Sequence, residues 1–186
     1  MVLLILGLLV WSSVHFMPAL APSLKVSMKE KLGEGGYMGV FSLGIFLGLG
    51  LMIFGWRATQ PEFVYMPPAE LRVPALAVLV LGFLLIGYTK APGRIKQWVR
   101  HPQLTGVALW GIAHLMLNGD SRSLILFGGM TTWCLVEIIV ISRREGTWLK
   151  PEIPPLKAEL QGVVTGLVML AVFVFAHPWL AGMPIK

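Results

Sequence analysis

Six stretches of the chain are apolar and nearly free of charge, at Val2–Leu20, Gly36–Trp56, Val73–Thr89, Pro102–Asn118, Leu124–Ser142 and Leu160–Ala181. Each is about 17–22 residues long, and a helix of ~20 such residues crosses the ~30 Å hydrocarbon core of a bilayer. The pattern therefore predicts an all-α, polytopic integral membrane bundle with about six transmembrane helices. The intervals are short and hold the helix breakers Pro61, Pro67, Pro68, Pro151, Pro154 and Pro155. They leave room for one transmembrane domain, residues 1–186, and no soluble catalytic module. Ala19-Leu20-Ala21 has the form of a signal-peptide cleavage site, but no basic residue precedes the apolar run and Pro22 follows it. A retained first helix is expected.

Composition agrees: 56% of residues are hydrophobic and 13% charged, against about a quarter charged in soluble domains. Charge adds a direction. With the N-terminus outside, the inner intervals carry Lys25, Lys29, Lys31, Lys90, Arg94, Lys96, Arg100, Arg143, Arg144, Lys150 and Lys157, and the outer side Arg57, Arg72, Arg122 and Lys186. Lys and Arg concentrate on the cytoplasmic side of membrane proteins, so both termini are expected on the periplasmic or exterior face. The formal charge of +6 follows from this asymmetry, and no aromatic-basic module points to nucleic acid. Gly44-x-x-x-Gly48 and Gly162-x-x-x-Gly166 are small-xxx-small patterns, read here as tight packing within the chain. The single Cys134 falls inside the fifth run, where a buried, inert thiol is expected.

Ionisable residues inside such runs are costly and point to function. Here they are His15, His114, His177 and Glu137, with His101 at an inner boundary. Trp110, Gly111, Leu117 and Asn118 share the helical face of His114, as Trp11, Ser12 and Ala19 share that of His15. A flat macrocycle lying against a helix needs such a gap beside an aromatic ring, and neutral imidazole is a common axial ligand for its iron. Laid straight, the helices put His15 and His114 at depths about 10 Å apart. His15 with His101, and His114 with His177, are the level pairs. His177-Pro178-Trp179 reads as an interfacial anchor, and Glu137 is expected near His101, Arg143 and Arg144.

Arg100-His101-Pro102-Gln103, Gly106, Leu109-Trp110, Ala113-His114-Leu115, Asn118-Gly119-Asp120 and Ser123-Leu124-Ile125-Leu126-Phe127-Gly128, with Trp11-Ser12-Ser13-Val14-His15-Phe16, closely resemble the NnrU family of bacterial membrane proteins. The resemblance covers essentially the whole chain. It implies a place in the bacterial inner membrane and a link to denitrification and nitric oxide metabolism. That family is related to the plastid 15-cis-zeta-carotene isomerase, and this implies haem b as cofactor with His15 and His114 as iron ligands. It also implies a redox or isomerase-like activity, a hydrophobic small-molecule substrate and a membrane redox partner. The isomerase has a cysteine where this chain has Gly111, so ligand exchange through that thiol does not carry over. Arg100-His101-Pro102 followed by Gly106 is more distantly similar to isoprenylcysteine carboxyl methyltransferases. That similarity implies S-adenosylmethionine at the cytosolic edge, near Arg100, His101, Glu137 and Arg144, although only Glu145 stands where those enzymes carry paired glutamates. A non-catalytic assembly partner is the third alternative. His101, at a helix start beside Arg100, is expected to bind a cofactor propionate or a lipid phosphate.

Overall fold

The computed structural model describes residues 1–183; Lys186, counted above on the outer side, lies outside the described residues. The chain forms two compact units, Met1–Gln60 and Pro61–Lys186. Among the described residues, five helices are long and apolar enough to cross a membrane: Val2–Leu20, Pro22–Ala58, Ala69–Gly87, Ser121–Glu145 and Leu156–Ala181. The protein is a multi-pass, all-helical membrane protein. Its outward side chains are apolar, and Leu43, Phe46, Val73 and Phe175 are each two-thirds or more exposed, as lipid-facing residues should be.

The first unit is a hairpin of α1 (Val2–Leu20) and α2 (Pro22–Ala58). The helices run antiparallel in near backbone contact, because glycines remove the side chains that would hold them apart. A methyl group at Gly7 would lie 2.6 Å from the Met52 amide nitrogen, and one at Gly48 would lie 3.0 Å from that of Trp11. Gly7→Ala is therefore expected to destabilise the unit by about 1–3 kcal/mol through overpacking, read as a lower unfolding temperature in detergent. An unchanged midpoint would mean that the helix pair yields freely at this contact. Thr59 closes the hairpin: its hydroxyl donates to the Gly55 carbonyl (2.6 Å) and accepts from the Met1 amino group (2.5 Å).

The basic interval before the second span is itself helical. Leu24, Met28 and Leu32 are spaced by four and form one stripe beside Lys25 and Lys29. This lead segment and the span behind it are assigned as one helix, broken at Gly33, whose φ of 72° and ψ of 172° suit a glycine. Lys29 secures the bend through an ion pair with Glu34 (2.8 Å) and by lying 5.3 Å from the centroid of the Tyr37 ring.

The second unit contains α3 (Arg72–Gly87), α4 (Pro102–Leu115), α5 (Ser121–Glu145) and α6 (Leu156–Ala181). α3 packs on both α4 and α6, and α4 packs on α5. Glycines again set the spacing: a methyl at Gly82 would lie 2.8 Å from the Gly106 carbonyl, and one at Gly166 would lie 2.6 Å from that of Phe83. Gly44, Gly48, Gly162 and Gly166 are thus used within the chain, as their pattern suggested.

α4 departs from expectation. The apolar run extends to Asn118, yet the helix has 14 residues and ends at Leu115, a length of about 21 Å. What ends it is competition for the following backbone. The amides of Val64 and Tyr65 donate to the Gly119 carbonyl (2.9 and 3.0 Å), and Phe63 pairs with Asp120 in an antiparallel bridge. The Tyr65 hydroxyl donates to the Leu115 carbonyl and lies 3.1 Å from that of Asn118. These contacts satisfy acceptors that a helix end leaves open.

Candidate functional site

His15 and His114 sit in different units and are built in the same way. His114 is the next-to-last residue of α4, and its Nδ1 lies 2.8 Å from the Trp110 carbonyl one turn back. His15 Nδ1 lies 2.9 Å from the Trp11 carbonyl, again one turn back. A carbonyl can only accept, so Nδ1 carries the hydrogen in each ring, and in the neutral imidazole the lone pair sits on Nε2. A backbone carbonyl on one ring nitrogen is also how ligating histidines are commonly oriented. The same tryptophan packs on the ring, with centroids 4.8 Å apart for Trp110 and His114 and 4.4 Å for Trp11 and His15.

The donor chemistry of both residues fits haem iron. The gap expected beside them does not exist at His114. Gly111 is filled by α5: a methyl there would meet the Thr131 hydroxyl and lie 2.9 Å from the Phe127 carbonyl. Phe127 also stacks on the imidazole at 4.3 Å with an interplanar angle of 24°. It comes from a π-helical turn, Leu124–Gly128, a wider turn that often marks functional sites. On the His15 helix, a cavity of about 210 Å³ is lined by Ser13, Val14, Met17, Met28, Val40 and Phe41. It is smaller than the ~300–1,000 Å³ usual for ligand pockets.

The Asn118-Gly119-Asp120 motif has structural uses. Asp120 caps α5 by accepting from the Ser123 amide (3.0 Å) and hydroxyl (2.7 Å), and it lies 3.6 Å from the buried Arg122 guanidinium. The Asn118 side-chain amide donates to the His114 carbonyl (2.9 Å), which holds the end of α4 that carries the imidazole.

His101 lies at the other end of α4, about 20 Å from His114, so these two do not meet. It precedes the helix, and its Nε2 is hydrogen-bonded to Ser142 Oγ (2.9 Å). Burial lowers its pKa from the ordinary histidine value; the Glu145 charge opposes this shift and the Arg100 charge adds to it. Arg100 donates to the Gly146 carbonyl (2.9 Å) and pairs with Glu145 (3.2 Å). Arg100, His101, Glu145, Thr147, Trp148 and Leu149 line a hollow of about 460 Å³. Glu137 and Arg144 do not line it. Glu137 is buried, with no hydrogen-bond partner for Oε2, and five residues along a helix turn it about 140° away from Ser142. The four-residue cluster expected for S-adenosylmethionine is therefore not assembled at this hollow. His177 is half-buried, with Nδ1 3.1 Å from the Met183 carbonyl. Cys134 is fully buried.

The family model for NnrU protein matches residues 3–185. The chain belongs to the NnrU family. Neither a curated protein nor a solved structure matches it. Among the described residues of this NnrU chain, no group of three or more His, Cys, Asp or Glu side chains could hold a metal ion. A macrocycle that brings its own four nitrogens requires only one or two imidazoles.

Proposed function

We propose that this NnrU-family protein binds haem b in the bacterial inner membrane and acts in denitrification-linked nitric oxide metabolism. His114 and His15 are each proposed as an iron ligand. What carries the reading is the shared construction of the two histidines, each within an apolar helix, with Nδ1 fixed on a backbone carbonyl and a tryptophan against the ring. Haem iron, when bound, would supply redox chemistry. The chain's own part is to orient the imidazoles and keep water from them. Tight packing at Gly111 and Phe127 means that cofactor entry requires the His114 surroundings to open. The decisive measurement is the absorption spectrum of the purified protein after expression with adequate haem supply. A Soret band and a b-type pyridine haemochrome are expected, and a colourless protein under those conditions removes the proposal.

The proposed orientation keeps both termini periplasmic. Single cysteines introduced at Gly93 and Gly146 are then expected to react only after the cytoplasmic face is opened, and one at Pro67 in intact cells. The reverse pattern overturns the assignment of sides.

A further inference from the structure

The hollow at the amino end of α4 is not used by the haem reading, and three observations give it a ligand. The first is charge. Residues 90–101 and 143–157 hold Lys90, Arg94, Lys96, Arg100, Arg143, Arg144, Lys150 and Lys157 against Glu145 and Glu152. Arg94 is taken by Glu159 (2.9 Å), which still leaves a strong excess of cations in the two segments that supply the lining. The second is the make-up of the segments that supply the lining. Trp98, Leu149 and Ile153 are 76%, 86% and 64% exposed, and Lys150 lies 5.5 Å from the Trp148 ring centroid. Exposed tryptophan and aliphatic side chains among lysines, where transmembrane helices begin and end, are the composition of a membrane interface. The third is the lining. Arg100 is held in place by the Gly146 carbonyl and His101 by Ser142, so two nitrogen-bearing side chains face one volume of about 460 Å³.

We infer that this hollow binds the phosphate headgroup of an anionic phospholipid, with Arg100, His101 and Lys150 as donors and Trp148 and Leu149 against the lipid's apolar part. Glu145 competes with the phosphate for Arg100. That competition gives the inference a sign that a purely structural role lacks. Glu145 is also the last residue of α5, where a negative charge opposes the helix dipole, so its removal costs the helix nothing.

The test is lipid retention by native mass spectrometry, with full-length protein exchanged into phosphatidylglycerol or phosphatidylcholine. About tenfold preferential retention of phosphatidylglycerol is expected, the size of one charge-assisted hydrogen bond. Lys150→Gln and His101→Gln are each expected to lower that preference roughly three- to tenfold, and Glu145→Gln to raise it by a similar factor. Lys31→Gln removes the same charge from a different basic segment and is expected to leave the preference unchanged. Equal retention of the two lipids overturns the inference, as does a Glu145→Gln variant that binds less. An equal loss with Lys31→Gln means diffuse attraction rather than a site. Displacement of phosphatidylglycerol by millimolar inorganic phosphate assigns the hollow to a soluble phosphate instead. None of these outcomes depends on haem content, so this inference and the haem reading fail separately.

Discussion

His114→Ala is expected to cut the haem retained per purified protein by roughly tenfold or more, since even the loss of a group that merely orients a metal ligand costs about 10–100-fold in affinity. Any haem that stays is expected to show a changed absorption spectrum, because a strong-field imidazole is gone. His15→Ala is expected to act in the same direction. The two variants read different units of the chain, so they also test whether each supplies a ligand. Wild-type haem content and spectrum in both would remove the assignment and send the search to His101 and His177. Stability must be followed in parallel. His114 packs on Trp110 and Phe127, and His114→Gln, which keeps bulk and hydrogen bonding, separates lost ligation from lost packing.

Asp120→Ala is expected to destabilise the second unit by about 2–4 kcal/mol. The residue caps α5, a contribution of about 1 kcal/mol, and it also faces Arg122, which is 8% exposed. Removing the carboxylate partner of a buried guanidinium carries a larger penalty than losing an exposed ion pair. Asp120→Asn keeps an acceptor for the Ser123 amide and is expected to recover about half of the loss. Thermal unfolding in detergent gives both values, and an alanine variant as stable as wild type would show that neither contact contributes.

The membrane class, the approximate positions of the long helices and the intramolecular use of the glycines were legible in the sequence, because each rests on run length or small-residue spacing. The repeated pairing of a histidine with a tryptophan four residues earlier was legible for the same reason. Other features depend on partners distant in sequence. The end of α4 is set by Tyr65 and Gly119, fifty or so positions apart. An aromatic inside the apolar run Leu124–Gly128 gives no sign that a π turn will rotate it onto His114. The helical lead of α2 could have been found from Leu24, Met28 and Leu32, whose spacing of four was masked by three lysines that suggested a loop. Glu137 lies within electrostatic reach of Arg144, as its depth suggested, but depth without angle around the helix did not show that it is absent from the hollow that His101 lines.

The shortness of α4 has a consequence for the lipid around it. A helix of about 21 Å falls some 9 Å short of the hydrocarbon core, and the missing depth is filled by Met116–Asp120 paired with the strand-like segment near Tyr65. Non-helical backbone is tolerated at such depth only where protein, not acyl chain, meets its amides and carbonyls. That corner of the bundle is therefore a notch in the apolar boundary of the membrane. His114, two residues before that loop begins, is separated from the polar phase by a few residues of loop rather than by half a bilayer.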